Sequence, residues 1–293
     1  MPQVLLFYKY VTIEDPAQLR DSLRVLATKH HLLGRVLVAE EGINGTLEGT
    51  IEDTEAFAAQ LIQDPRLSDM NIKRSEGTGT SFNKLYVKVR DEIVGTRFPK
   101  KVDPRVRTAP HLKPEELRSW YETGKNFVVV DMRNDYEYQS GHFKDSINPG
   151  LENSRDLPEA LPKLEALKDK TVLTVCTGGV RCEKMSAFLL ENGFTDVYQL
   201  ENGMHAYMEQ YPGKDFLGTL YTFDKRLTMD FGGDREVIGR CKLCGDSTEK
   251  YVNCANNFCH LHFLACGNCQ KEEGTSCSVE CMENLVTQPS FNV

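Results

Sequence analysis

The sequence lacks several features that would assign it to a common class of protein. Its 293 residues contain no run of about 18 apolar residues, so we expect no transmembrane helix and no membrane partner. The first residues, MPQVLLFYKYVTIED, have no basic leader and no small-residue cleavage site, and they predict a strand rather than a signal peptide. No flavin or NAD motif is seen, and no spacing indicates a 2-His-1-carboxylate iron site.

Cysteine is absent before Cys176 and abundant towards the end of the chain. Cys176 and Cys182 lie close together, and the other eight of the ten cysteines fall between Cys241 and Cys281. Such clustering without a secretory signal favours reduced thiols and metal ligation over a disulfide framework. We therefore expect a cytoplasmic protein, with disulfides in the tail as the alternative to metal binding.

The eight late cysteines form four pairs at short spacings, and eight thiolates are enough for two tetrahedral Cys₄ zinc sites. Closed sites of this kind are structural, and His260 and His262 are alternative ligands. A sequential arrangement joins the first pair to the second and the third to the fourth, whereas a cross-braced one joins the first to the third and the second to the fourth. The pairs are Cys241 and Cys244, Cys254 and Cys259, Cys266 and Cys269, and Cys277 and Cys281.

Positive charge is scarce overall and unevenly placed. The formal net charge is −8, which argues against a uniformly basic nucleic-acid binder. Between Ile72 and Arg107, however, ten basic residues stand against four acidic ones. This stretch is either a phosphate-contacting surface or a solvated strand face followed by a stiff linker. The candidate RNA-binding residues are Lys73, Arg74, Lys84, Lys88, Arg90, Arg97, Lys100, Lys101, Arg105 and Arg107.

The order of predicted strands and helices divides the chain into four parts. Residues 1–95 have the order of a small ferredoxin-like α+β domain. Residues 96–110 are a basic linker with prolines and no periodicity. In residues 111–215, short apolar strands between helices predict an α/β domain with a parallel sheet covered on both faces. Residues 216–293 form the cysteine-rich, zinc-binding-like region.

The stretch CTGGVRC, residues 176–182, contains the strongest candidate for reactive chemistry. Cys176 follows the apolar strand TVLTV, and ligands of parallel sheets bind at the carboxyl ends of strands. The glycines allow backbone N–H groups to form an anion-binding nest, and Arg181 adds a fixed charge, so we expect a lowered pKa for Cys176. The alternative is a glycine turn with a half-buried cysteine. The predicted site comprises the catalytic residues Cys176 and Arg181 and the loop residues Thr177, Gly178, Gly179 and Val180.

The loop resembles the active-site loop of the rhodanese superfamily. DMRNDYEYQSGHFKDSINPG, residues 131–150, and VYQLENGMHAY are similar to two further superfamily stretches, and the likeness spans about residues 111 to 212. It implies that Asp131, Arg133 and His142 brace the loop and the sheet. The loop is one residue shorter than in tyrosine phosphatases, which favours a sulfur atom on Cys176 over phosphoryl transfer. Cys182 is either a resolving thiol or a small packing residue.

Almost the whole chain resembles the bacterial tRNA uridine hydroxylase family. FYKY, VAEEGINGTL, SFNKLYVKVRDEIV, the basic linker, CTGGVRCEKMSAFL and a cysteine-rich tail occur in one order. The resemblance implies oxygen-dependent 5-hydroxylation of the wobble uridine, molecular oxygen as co-substrate, and the anticodon region of tRNA as partner, docked on residues 1–110. A sulfurtransferase working through a Cys176 persulfide and a non-catalytic binding module are the alternatives. No feature indicates an oligomeric state.

Overall fold

The computed structural model describes residues 1–272 and 274–286, with side chains up to residue 284. Residue 273 and residues 287–293, which belong to the predicted cysteine-rich region, lie outside the described residues. Among the helices that are described, none is long and apolar enough to cross a membrane.

The amino-terminal part is a five-stranded sheet with two helices packed on one face. Its order is β4-β1-β3-β2-β5, with β5 parallel to β2 and the other neighbours antiparallel. The first four strands and both helices have the ferredoxin-like arrangement, which confirms the predicted class. The elements are β1 (Pro2–Tyr10), α1 (Pro16–Lys29), β2 (Leu33–Ala39), β3 (Gly42–Thr50), α2 (Ile51–Leu61), β4 (Ile72–Glu76) and β5 (Leu85–Val89).

Alternation along β1 determines which side chains meet the helices. Leu5 and Phe7 are fully buried in the core that the sheet forms with α1 and α2. Leu6 and Tyr8 point to the opposite face, because successive side chains of a strand alternate. Leu6 pairs with Lys73 on β4, so Lys73 shares this face. Neither helix covers this face, which we call the uncovered sheet face, and the central domain packs against it.

The central part contains a four-stranded parallel sheet in the order β6-β10-β9-β7, which confirms the predicted α/β class. Val172 and Leu173 of β9 point into separate hydrophobic cores, so helices cover both faces. The elements are β6 (His111–Leu112), α3 (Pro114–Glu122), β7 (Val128–Asp131), α4 (Asp135–Ser140), β8 (Gly141–Phe143), α5 (Leu157–Ala160), β9 (Thr171–Val175), α6 (Val180–Glu191), β10 (Asp196–Leu200) and α7 (Gly203–Gln210).

The remaining chain consists mainly of loops and short strand pairs. Residues 96–110, all of them described, contain no helix or strand. After α7, one strand pairs antiparallel with β8, and two further antiparallel strand pairs follow. The elements are β11 (Phe216–Gly218), β12 (Leu220–Tyr221), β13 (Thr228–Met229), β14 (Tyr251–Asn253), β15 (His262–Leu264) and α8 (Val279–Val286).

A buried ionic cluster joins the amino-terminal and central parts. The Lys184 ammonium, on α6, lies 2.9 Å from Glu41 in the β2–β3 turn and 3.3 Å from Glu92 after β5. The Lys184 side chain is 2% exposed, so its charge depends on these two carboxylates. The Tyr10 hydroxyl donates to the carbonyl of Val180 nearby. These contacts hold the uncovered sheet face against the start of α6.

Replacing Lys184 with methionine should destabilise the protein while preserving side-chain volume. The change leaves Glu41 largely buried without its cation, and loss of one partner of a buried ion pair costs about 3–5 kcal/mol. The free energy of unfolding in urea, followed by circular dichroism, measures the effect. Lys168→Met is the matched control, because Lys168 pairs with an exposed Glu165 and should lose less than about 1 kcal/mol. Equal losses in the two variants would contradict the role of the cluster.

Candidate active site

Cys176 lies between the end of β9 and the start of α6. Its side chain is 0% exposed, and its Sγ accepts a hydrogen bond from the Gly179 N–H at 3.2 Å. Gly179 has φ = +104°, which favours glycine and turns this N–H towards the sulfur. On the other side, a Cβ on Gly203 would lie 2.6 Å from the Cys176 carbonyl oxygen, so only glycine lets α7 approach this closely. The loop is therefore a compact cradle around one sulfur atom.

The cradle stabilises the thiolate form of Cys176. Burial raises the pKa of this thiol, but hydrogen bonding from Cys182, the charge of Arg181 and the Gly179 N–H outweigh burial and lower the pKa to about 6. Burial and the adjacent thiolate raise the pKa of Cys182 well above its usual value. Cys176 is thus a thiolate at neutral pH, and Cys182 remains a thiol that donates a hydrogen bond to it. Cys182 is fully buried, and its contact with Cys176 goes beyond packing.

Arg181 is held by a carboxylate rather than left free in the loop. Its guanidinium donates to both carboxylate oxygens of Glu137, at 2.5 and 2.8 Å, and to the Thr177 hydroxyl at 3.2 Å. Glu137 is 0% exposed and lies on α4, where it also accepts from the Asn134 N–H. The paired guanidinium is fixed in position with much of its charge balanced. Sequence reasoning noted Glu137 only as part of the superfamily pattern.

Lys73 belongs to this site and not to the exposed basic surface on which we expected it. It is 8% exposed, and its ammonium donates to the Gly178 carbonyl at 3.0 Å and lies over the ring of Tyr8. Within the described part of the chain it has no carboxylate partner. Burial lowers the pKa of Lys73 to about 8, while the Cys176 thiolate acts in the opposite direction. The amino-terminal sheet therefore brings a cation to the cysteine loop.

The other nine predicted RNA-binding residues are exposed. Arg74 is paired with Glu55, Lys100 with Glu191, and Arg105 with Asp103. The ammonium groups of Lys84 and Lys88 lie 4.8 and 4.9 Å from the ring centroid of Tyr86. The remaining four are Arg90, Arg97, Lys101 and Arg107.

A cavity of about 270 Å³ lies between the cysteine loop and the uncovered sheet face. One wall is the loop, and the opposite wall consists of alternate residues of four strands, which the register places side by side. His205 also lines the cavity, and its Nδ1 is buried with no hydrogen-bond partner among the residues that the structure describes. Burial lowers the pKa of His205 to about 4, which keeps the imidazole neutral. No motif or spacing in the sequence singles out His205. The wall residues from the strands are Val4, Leu6, Tyr8, Arg35, Leu37, Asn44, Thr46, Lys73 and Ser75.

The three predicted supporting residues lie behind the loop rather than in the cavity wall. Arg133 is 0% exposed, and it donates to both carboxylate oxygens of Asp131 and to the Gly141 carbonyl. This network joins the end of β7 to β8. His142 stacks on Tyr138, with ring centroids 3.8 Å apart, and burial lowers its pKa. These contacts suit a bracing role.

The late cysteines form two groups, each with four Sγ atoms within 4.8 Å of one another. The first and third pairs make one group and the second and fourth make the other, so the arrangement is the cross-braced alternative. No disulfide joins any of the ten cysteines. Neither group includes His260 or His262, and the latter stacks on Tyr251. Both groups can bind a metal ion, and four thiolates are a donor set that suits zinc.

Three sequence profiles together match most of the chain. The UPF0176 acylphosphatase like domain matches residues 2–93, the Rhodanese-like domain residues 113–210, and the Rhodanase C-terminal domain residues 217–282. The rhodanese match covers the part that contains Cys176 and its loop.

Full-length relatives are also found. A tRNA uridine(34) hydroxylase of Cytophaga hutchinsonii is 41% identical over 280 residues, which cover 95% of this chain and 89% of that protein. A tRNA uridine(34) hydroxylase of Staphylococcus aureus strain Newman is 42% identical over 286 residues, 96% of this chain and 90% of that protein. Among solved structures, a rhodanese-like domain protein from Staphylococcus aureus is 30% identical and covers 33% of this chain and 90% of that chain, with a TM-score of 0.29.

The pH dependence of Cys176 alkylation should reveal its lowered pKa. We expect the rate of iodoacetamide labelling, followed by mass spectrometry of the Cys176 peptide, to rise with a midpoint near pH 6. Cys182→Ala removes a hydrogen-bond donor to the thiolate and should raise this midpoint by roughly one to two units, since a charge-assisted hydrogen bond contributes about 1.5–3 kcal/mol. A midpoint near pH 8.5 in the unsubstituted protein would contradict a stabilised thiolate.

Metal content should follow the cross-braced grouping. The purified protein should contain two zinc ions per chain by native mass spectrometry, and Cys266→Ser should lose the ion shared with Cys241 while keeping the other. Cys182→Ser is the control and should retain both ions, because Cys182 belongs to neither group. If a protein with one bound zinc ion showed both Cys241 and Cys254 protected from thiol labelling, the grouping would be wrong.

Proposed function

Because this chain belongs to the tRNA uridine(34) hydroxylase family, we propose that it adds a hydroxyl group to C5 of the wobble uridine of tRNA, with Cys176 as the reactive group. The observation that carries the proposal is the cavity between the Cys176 loop and the amino-terminal sheet. A base inside a folded RNA must leave its stack to reach such a site, and enzymes that modify bases provide a pocket for the extruded base.

The cavity wall suits the faces and edges of a uracil ring. Leu6 and Leu37 offer apolar surface, while Asn44, Lys73 and His205 offer polar groups at its borders. The Asn44 amide nitrogen is already engaged, because it donates to the Ile93 carbonyl. This leaves its carbonyl oxygen as an acceptor for an N–H group, as the N3–H of uracil would require.

Cys176 has the charge state required for addition to the ring. A thiolate that adds to C6 of uracil moves an electron pair towards C5 and the C4 oxygen, which makes C5 nucleophilic. The Lys73 ammonium suits the stabilisation of this charge, because it is a buried cation of the cavity wall that no carboxylate among the described residues neutralises. Molecular oxygen as co-substrate would then add at C5, and a two-electron donor such as an external thiol would reduce the second oxygen atom to water. Loss of the C5 proton and departure of the Cys176 thiolate from C6 would restore the ring. An oxidised or persulfidic Cys176 is the alternative intermediate.

Exposed positive charge supports a tRNA substrate. The exposed basic residues from β4 to the linker offer cations for phosphate contacts, which would position an RNA without reading its sequence. We assign the anticodon region as the docked part and expect cytoplasmic action, where tRNA is the substrate. Zinc in the two cysteine groups would hold the carboxyl-terminal region in shape, since each closed group of four thiolates leaves no open coordination position.

A persulfide sulfurtransferase is the second candidate. The Gly179 N–H directed at Cys176 Sγ would stabilise a terminal sulfur on the same atom. The amino-terminal sheet, which covers the loop and leaves Cys176 0% exposed, favours the base-modifying function, because a small sulfur donor requires no second domain.

Cells that lack this protein should lose 5-hydroxyuridine-derived nucleosides from bulk tRNA. Complementation with the natural sequence should restore them, whereas Cys176→Ser should reduce them at least about 100-fold, because a hydroxyl at this position stays protonated and is a weak nucleophile. Mass spectrometry of digested tRNA, in a strain without a parallel hydroxylation route, measures the outcome.

The matched control is Cys182→Ser, which preserves Cys176 and should retain part of the activity. A thiosulfate:cyanide assay on the same preparations tests the second candidate. Unchanged tRNA nucleosides in the deletion strain would overturn the proposed function, and Cys176-dependent thiocyanate formation in their place would favour the sulfurtransferase.

A further inference from the structure

A second, larger cavity of about 730 Å³ adjoins the first. Three residues, Arg35, Phe223 and Asp224, line both cavities, so the two lie side by side. The second cavity lies between the amino-terminal sheet, the start of α4 and the carboxyl-terminal region. It contains none of the residues discussed for the chemistry at Cys176.

Its electrostatic character is positive in a protein whose net charge is −8. Arg35, Lys84 and Lys225 line it, and Asp224 is the single acidic residue among the described residues of its lining. The Asp224 carboxylate is neutralised, because Arg226 donates to both of its oxygens at 2.8 and 2.6 Å. Arg35 is exposed and, among the described residues, its side chain has no hydrogen bond or ion pair. These cations are available to an anionic ligand.

Aromatic side chains also line this second cavity. Phe223 is 47% exposed at the junction of the two cavities, with the Arg181 guanidinium on one side, 5.4 Å from the ring centroid. Tyr86 lines the cavity, and the ammonium groups of Lys84 and Lys88 lie close to its ring. Phe82 lines the same cavity. Exposed aromatic faces beside cations are the combination with which proteins bind single-stranded nucleic acids.

The register of the sheet links the two cavities. Lys73 pairs with Leu6, Leu6 with Thr46, and Thr46 with Arg35, so these residues form one row across four strands. Neighbouring strands lie about 4.8 Å apart, which places the two ends of the row roughly 14 Å from each other. Lys73 ends the row at the cysteine loop, and Arg35 ends it at the second cavity. A short stretch of extended RNA would cover this distance.

We propose that the second cavity binds the nucleotide next to the modified uridine, with its base stacked on Phe223 and its phosphate at Arg35. The assignment rests on the proposed function, because it takes the first cavity as the site of the extruded uracil. Phe223 then separates the two bases and keeps the neighbour from following the uridine into the first cavity. Arg35 is a positioning residue that holds the backbone between them.

Binding measurements with three RNAs test this assignment. The first is an anticodon stem-loop RNA, and the other two carry an abasic nucleotide on one side or the other of the target uridine. Fluorescence anisotropy with the full-length protein should show that one of the two abasic RNAs binds roughly 5- to 150-fold more weakly, the range of one stacked base, about 1–3 kcal/mol. Phe223→Leu keeps apolar bulk beside Arg181 but removes the aromatic face. This variant should therefore bind intact RNA more weakly by the same factor. Its affinity should not fall further when the intact RNA is replaced by that abasic RNA.

Phe258→Ala is the matched control, since Phe258 is 80% exposed and lines neither cavity; it should bind as the unsubstituted protein does. The pH midpoint of Cys176 alkylation should stay unchanged in Phe223→Leu, which separates loss of stacking from damage to the cysteine loop. If the abasic RNA lost the same affinity for Phe223→Leu as for the unsubstituted protein, this assignment would be wrong, while the proposed function would stand. Failure of the unsubstituted protein to bind or hydroxylate the intact RNA would overturn the proposed function as well.

Discussion

The structure depends on keeping one negative charge stable on a buried sulfur atom. Cys176 is 0% exposed, and burial by itself would keep its thiol neutral. Several weak donors act together instead: the Gly179 N–H, the Cys182 thiol and the start of α6. Arg181 contributes less than a free guanidinium would, because Glu137 shares its charge. The thiolate thus depends on the whole geometry of the loop.

The amino-terminal sheet is part of this geometry. Its uncovered face supplies Lys73, Tyr8 and Leu6 directly opposite the loop, and Leu6 lies so close that a Cβ on Gly178 would be 3.0 Å from its Cδ2. The cluster around Lys184 fixes this face against α6 from outside the cavity. The amino-terminal domain thus covers the cysteine loop and adds a cation, so cavity and charge arise from the same interface.

Sequence reasoning predicted the elements that depend on local pattern. The strand–loop–helix at Cys176, the parallel sheet and the ferredoxin-like order follow from apolar runs, glycines and periodicity, and the structure contains them. It could not predict contacts that depend on strand register and domain packing. In IKRSE, Lys73 and Arg74 look alike, yet one is buried at the loop and the other is exposed beside Glu55. The cysteine pairs posed the same difficulty, since either pairing satisfies the spacing and only the folded chain brings the first and third together.

The enclosed position of Cys176 also bears on which substrate the site accepts. A small dianionic sulfur donor would enter a cavity whose walls are largely apolar and whose one unbalanced buried cation, among the described residues, is Lys73, and it would lose most of its hydration on the way. A neutral pyrimidine loses much less, because its faces match Leu6 and Leu37 and one edge meets Asn44. The phosphates of the same substrate stay outside, near exposed cations. A wall that combines apolar side chains with few unbalanced charges therefore favours a nucleotide within RNA over a free inorganic anion.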